Sequence, residues 1–151
     1  MARDFTGKAV FITGAAHGQG RAVALAFARA GAAVAGFNIA RSLAYPAYPL
    51  GSSAELETLS AEIVGSGGRF LPLVGDVRDE SAVAAAVTKT VAAFGGLGIV
   101  FGNAGVAAYV FSPGVCWSGV ILNLCRSEVQ ALQIDSYGVR PLRVLSLLAK
   151  L

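Results

Sequence analysis

The chain has 151 residues, 55 % of them hydrophobic, and its 12 basic and 9 acidic side chains leave a net charge of +3. That length sets one domain as the prior, and the apolar content is ample for a core and argues against disorder. No run of Lys and Arg interleaved with aromatics exists to track a phosphate backbone, so nucleic acid is not an expected partner.

At the N-terminus, "MARDFTGK" carries Asp4 and no apolar h-region follows, so it does not read as a secretory signal. Lys8 to Thr13 reads as a short buried strand ended by glycine. "TGAAHGQG", Thr13 to Gly20, must turn tightly and open a helix, and Arg21 to Ala30 keeps helical spacing until Gly31 stops it. Ala33 to Asn38, "AVAGFN", is the second strand. The window Ala22 to Phe37 contains Arg29 and two glycines and falls short of the ~20 apolar residues a bilayer span needs. A cytoplasmic location without membrane attachment is the expectation.

Ile39 to Gly51, "IARSLAYPAYPLG", has no usable period and reads as an extended loop. Ser52 and Glu55 form an S-x-x-E capping box for a helix running to about Val64, which "GSGG" ends. Phe70 to Val74 is a third strand ending at Gly75-Asp76. Asp79 can cap a helix over Glu80 to Phe94, and Ile99 to Phe101 is a fourth strand ending in "GNAG". Strands alternating with helices predict an α/β fold with a Rossmann-like, doubly wound parallel sheet, truncated after about the fourth strand.

After Gly105 the texture changes. Residues 106–151 read as an atypical tail after the α/β half over 1–105, with both cysteines and weak caps. "GVILNLC", Gly119 to Cys125, reads as a strand and "RVLSLLAKL" as a short amphipathic helix. Cys116 and Cys125 are too few for a disulfide scaffold, and with the single histidine they cannot complete a zinc site. No metal is expected.

In an open α/β sheet, ligands bind beyond the carboxyl ends of the strands. Gly14, Gly18 and Gly20 lie at such an end, where backbone N–H groups and the helix dipole can hold a pyrophosphate. Asn38 ends the second strand where a dinucleotide fold normally presents an acid to the adenosine ribose. An amide hydrogen-bonds the hydroxyls without repelling a 2′-phosphate, and Arg41 is close enough in sequence to attract one. Asp76 could accept from the adenine amino group or cap the next helix. Asn103 sits in a small-residue turn with room for a flat ligand.

The pattern T-G-x-x-x-G-x-G at Thr13 to Gly20, "GDV" at Gly75 to Val77 and "GNAG" at Gly102 to Gly105 resembles the short-chain dehydrogenase/reductase family, over about residues 7 to 105. The resemblance implies that Gly14, Gly18, Gln19 and Gly20 line the pyrophosphate, with His17 as a backbone contact on the turn. It also implies Asn38 and Ile39 at the adenosine ribose, Asp76 and Val77 at the adenine, and Asn103, Ala104 and Gly105 at the nicotinamide-side ribose. The long loop after Ile39 is similar to that of a subgroup that holds NAD and passes electrons to the peptide-derived carrier mycofactocin. The implied cofactor is NAD or NADP, with NAD favoured. His17, Asn38, Gly98 and Gly102 depart from the family's usual residues.

The resemblance further implies hydride transfer between NAD(P) and an alcohol or ketone, which needs a partner for the oxygen's proton. The family uses a tyrosine with a lysine four residues on, neighbours on one helix face. Here Tyr45, Tyr48, Tyr109 and Tyr137 are followed at that spacing by Pro49, Ser52, Pro113 and Pro141. Ser136-Tyr137 is no pair, because Pro141 would disrupt the helix. "WSGVILNL" is similar to the family's asparagine helix, which would make Asn123 a supporting residue, but it arrives several residues early. No catalytic residue is assigned. The expectation is a truncated or frame-altered oxidoreductase that binds cofactor at best. The alternative is a non-catalytic nucleotide-binding or interaction module that self-associates through an exposed sheet edge, unless Gly119 to Cys125 covers the fourth strand.

Overall fold

A computed structural model describes residues 4–43 and 48–105 in full, together with the strand backbones of 119–125, 128–135 and 138–141. The apolar runs form the expected strands: β1 (Ala9–Thr13), β2 (Ala33–Asn38), β3 (Arg69–Val74) and β4 (Ile99–Phe101). Between them lie α1 (Gly18–Arg29), α2 (Ser53–Gly65) and α3 (Glu80–Phe94). All four strands are parallel, in the order β3-β2-β1-β4. This is the predicted Rossmann-like sheet.

Successive side chains of a strand point to opposite faces, so each face needs its own apolar set. Val10, Ile12 and Val34 face α1 and α2, packing with Ala24, Leu59 and Ile63. Phe11, Ala35, Phe37 and Leu73 face α3, packing with Ala86 and Val87. Leu59 and Ile63 are fully buried, and burial of one such side chain contributes about 1.5–3 kcal/mol. These two layers hold β1 and β2 in the middle of the sheet.

Local signals set the helix ends. Ser52 Oγ accepts from the Glu55 backbone N–H at 3.2 Å while the Glu55 carboxylate accepts from Ser52 N at 2.7 Å, the complete capping box. Those Ser52 donors hold the Glu55 carboxyl below its usual range. Asp79 caps α3 by accepting from Ser81 N and Ala82 N, and the left-handed Gly95 ends it. α1 starts at Gly18, ahead of the Arg21 start that periodicity suggests, because Gly18 and Gly20 carry no side chain that could extend an apolar period.

The two sheet edges differ. β3 carries Arg69 and Pro72 on the outer edge, and a proline has no N–H to offer a further strand. β4 is three residues long and pairs with β1 on one side. Gly119 to Cys125 is a strand as expected, β5 (Gly119–Cys125), and it lies near β4 without hydrogen-bonding to it. Its hydrogen-bonded partner is β6 (Glu128–Asp135), antiparallel, and β6 pairs in turn with β7 (Gly138–Pro141) in a separate three-stranded sheet. The short connections between β5, β6 and β7 suit antiparallel pairing. The expected helix at "RVLSLLAKL" and the Ser136-Tyr137 dipeptide lie outside the described residues.

Ser52→Ala removes the acceptor for the Glu55 N–H, and the expected loss is about 1 kcal/mol of stability. Urea unfolding of the two proteins measures it, and an unchanged midpoint would show that the capping box contributes nothing.

Candidate functional site

The carboxyl ends of β1, β2, β3 and β4 open on the same edge of the sheet, and the site is built from the turns that follow them. Past Thr13, the chain bends at Gly14, whose φ of +68° lies in the left-handed region. A Cβ on Gly14 would stand 3.0 Å from both Ala104 Cα and Asn103 Nδ2, so the turn after β4 presses directly on it. Gly20, in the first turn of α1, is tighter still: a Cβ there would collide with the Gly14 carbonyl and lie 2.7 Å from Asn103 Nδ2. Gly18 differs from both, since its Cβ position is open space.

Thr13 and Asn103 knit these turns together. The Thr13 hydroxyl accepts from the backbone N–H groups of Asn103 and Ala104, each at 3.0 Å. The Asn103 amide donates to the carbonyls of Thr13 and Gly14, each at 3.2 Å. Sequence reasoning placed Asn103 at the site but gave no role to the Thr13 side chain. The available signal was a hydroxyl residue closing an otherwise apolar strand.

The N-terminus of α1 offers donors. His17 is its N-cap, but no side chain caps it and no acid lies in its first turn. The leading N–H groups of a helix lack intrahelical acceptors and carry the positive end of the dipole. His17, Gly18 and Gln19 are exposed there.

At the end of β2, Asn38 is buried and its Nδ2 donates to the Gly51 carbonyl at 2.8 Å. Ile39 follows, half-buried, and Ala40 adopts a φ of +52°, a left-handed conformation that costs a non-glycine residue about 1–2 kcal/mol. Arg41 then reaches Asp76 at 3.4 Å. Asp76, at the end of β3, also receives the Arg78 guanidinium on both oxygens and the Arg78 backbone N–H at 3.0 Å. With these donors foremost, and the positive charges of Arg78 and Arg41 behind them, its pKa is lowered to about 2. Asp76 therefore remains a carboxylate at neutral pH. It does not cap α3, since Asp79 does, and Val77 beside it is an exposed apolar side chain.

The sheet edge thus gathers Gly14, His17, Gly18, Gln19 and Gly20 beside Asn103, Ala104 and Gly105, with Asn38, Ile39, Asp76 and Val77 along the neighbouring strand ends. Arg41, Arg78 and Gly51 join that set. No His, Cys, Asp and Glu group suited to a metal ion occurs among the described residues. None of their helices is long and apolar enough to cross a membrane. The side chain of Asn123 and the tyrosines at 45, 109 and 137 lie outside the described residues.

Known proteins resemble this chain in sequence and fold. The family described as short chain dehydrogenase matches residues 8–132. Hydroxysteroid dehydrogenase-like protein 2 of Xenopus laevis is 43 % identical over 98 residues, which is 65 % of this chain and 22 % of that protein. The crystal structure of carveol dehydrogenase from Mycobacterium avium in complex with NAD superposes with a TM-score of 0.66 at 35 % identity, covering 69 % of this chain and 38 % of that one. A short chain dehydrogenase from Mycobacterium paratuberculosis bound to NAD gives 0.67 at 36 % identity, covering 76 % and 41 %. The chain therefore spans about two fifths or less of the relatives it matches. The match beginning at residue 8 takes in all four parallel strands and every turn of the site, and the chain belongs to the short-chain dehydrogenase family.

Proposed function

We propose that the strand-end site binds a nicotinamide dinucleotide, as the cofactor-binding part of an oxidoreductase that moves a hydride between NAD(P) and an alcohol or ketone. The observation that carries this reading is the contrast among the three glycines. Gly14 and Gly20 are filled from behind by the chain's own backbone, so the turn has one shape, while the open space at Gly18 fronts the uncapped first turn of α1. A diphosphate fits such a place, because backbone N–H groups and the dipole compensate its charge.

In this reading Gly14, His17, Gly18, Gln19 and Gly20 hold the pyrophosphate through backbone groups. Asn103, Ala104 and Gly105 border the nicotinamide-side ribose, Asn38 and Ile39 the adenosine ribose, and Asp76 and Val77 the adenine. NAD is favoured over NADP, supported by the two solved relatives that carry NAD. The bound nicotinamide would supply the hydride acceptor or donor. The chain's own task is to orient the dinucleotide and to exclude side chains from the phosphate space. Location in the cytoplasm belongs to the same reading.

A second reading, self-association, draws on β4. Among the described residues its hydrogen-bonded partner is β1, β5 lies near it without hydrogen-bonding, and "GIVFGN" carries neither charge nor proline to block pairing. The apolar edge would then join two copies, with or without a nucleotide.

Gly18→Val puts a branched side chain into the phosphate space at a residue with φ +56°, and the expected outcome is loss of measurable NAD affinity. Calorimetric titration of both forms tests this, and equal nonzero affinity would place the ligand elsewhere. The sequence has no tyrosine with a lysine four residues on, so no alcohol- or ketone-dependent change in NAD(P)H absorbance is expected above background. Turnover that is abolished by Tyr137→Phe would overturn that expectation. Sedimentation velocity should show association at micromolar concentration, and a monodisperse monomer would remove the second reading.

A further inference from the structure

A strand end that receives the ribose of a dinucleotide ordinarily uses an acid, which accepts from the hydroxyls. Asn38 occupies that place here, 4 % exposed, and its amide nitrogen is committed to the Gly51 carbonyl at 2.8 Å across 13 residues. The chemistry is selective: an amide donates to a carbonyl, whereas an ionised carboxylate only accepts and would face it oxygen to oxygen.

Gly51 is equally constrained from its other sides. A Cβ there would stand 2.8 Å from both Ala16 Cβ and Asn38 Nδ2, and 3.0 Å from His17 Nδ1. The chain that leaves the core after β2 therefore rejoins it at one buried residue, seated on the β1–α1 turn and tied by one side-chain donor. What flanks this tie belongs to the nucleotide site. On the outgoing side, the left-handed Ala40 delivers Arg41 to Asp76. On the returning side, Ser52 follows Gly51 directly and begins the cap of α2.

Building on the dinucleotide reading above, we propose that Asn38 is a positioning residue that acts on the nucleotide through Gly51. Its amide latches Gly51 against the turn that opens α1, and so sets where Arg41 and the start of α2 stand beside the adenosine half of the site. The amide in place of the acid is then a requirement of the latch. Restoring the acid should weaken nucleotide binding, where a direct ribose contact would strengthen it.

The test compares wild type, Asn38→Asp and Gly51→Ala, each shown to be folded by far-ultraviolet circular dichroism. ADP-ribose is the probe for binding, and tryptic cleavage after Arg41 is a readout that needs no ligand. Asn38→Asp is expected to be cleaved faster and to bind ADP-ribose about tenfold more weakly at about pH 8, the scale of one buried hydrogen bond replaced by an unfavourable contact. Lowering the pH protonates the introduced carboxyl, which regains a donor, so the variant's affinity should converge on that of wild type. His17 lies beside Gly51 in both proteins, so the comparison is repeated in a His17→Gln background to isolate the introduced carboxyl. Gly51→Ala should show the same two losses without recovery at low pH.

Unchanged cleavage together with equal or tighter binding in Asn38→Asp would overturn the latch. If that variant does not fold, unchanged cleavage and affinity in Gly51→Ala would overturn it instead. Wild type that binds no ADP-ribose would refute the dinucleotide reading, and the cleavage comparison would still decide whether the latch exists.

Discussion

The C-terminal end of β1 leaves two carbonyls, those of Thr13 and Gly14, at a place where its neighbour β4 has already run out. Asn103 meets both with one amide nitrogen, and the Thr13 hydroxyl takes the N–H groups of Asn103 and Ala104 in return. A buried carbonyl or N–H without a partner costs about 1–3 kcal/mol, so this exchange decides whether the two turns can lie against each other. The glycine turn, the first turn of α1 and the small-residue turn after β4 all take their positions from it. Gly14 and Gly20 are glycines because the junction leaves no volume for a side chain at either.

Much of the architecture is legible from sequence because it rests on period and punctuation. β2, α3 and β4 have the residue bounds that their apolar runs and flanking glycines imply, and the S-x-x-E signature at Ser52 and Glu55 is a formed capping box. α1 was legible only from Arg21 onward, since its leading glycines carry no apolar signal. β5 was visible as a strand in "GVILNLC", but its partner was not. Pairing depends on the length and direction of connections, and the candidate edges β4 and β6 both present apolar residues.

The site was legible where backbone freedom shows as glycine and less so where side chains pair over long spans. Asn38, Asp76 and Asn103 could be placed at strand ends by counting. What they bind within the protein could not: Asn38 meets a carbonyl 13 residues on, and Asp76 gathers Arg41 and Arg78. These links join segments whose spacing follows no helical or strand period. The charges nonetheless have a physical consequence: two exposed guanidiniums share the Asp76 carboxylate, and solvent screens these pairs only in part.

The unequal edges of the parallel sheet bear on what an assembly of this fold could look like. On β3, Pro72 interrupts the row of donors, and Arg69 adds a charge at the strand's start. On β4 neither device is present. A molecule with sticky faces at both ends stacks head to tail without limit, but one sticky face can only be satisfied by its own copy across a two-fold axis. A pairing of two such sheets through β4 would make an eight-stranded layer with the proline-bearing strand on both outer rims, and it would have to displace β5, which lies near β4.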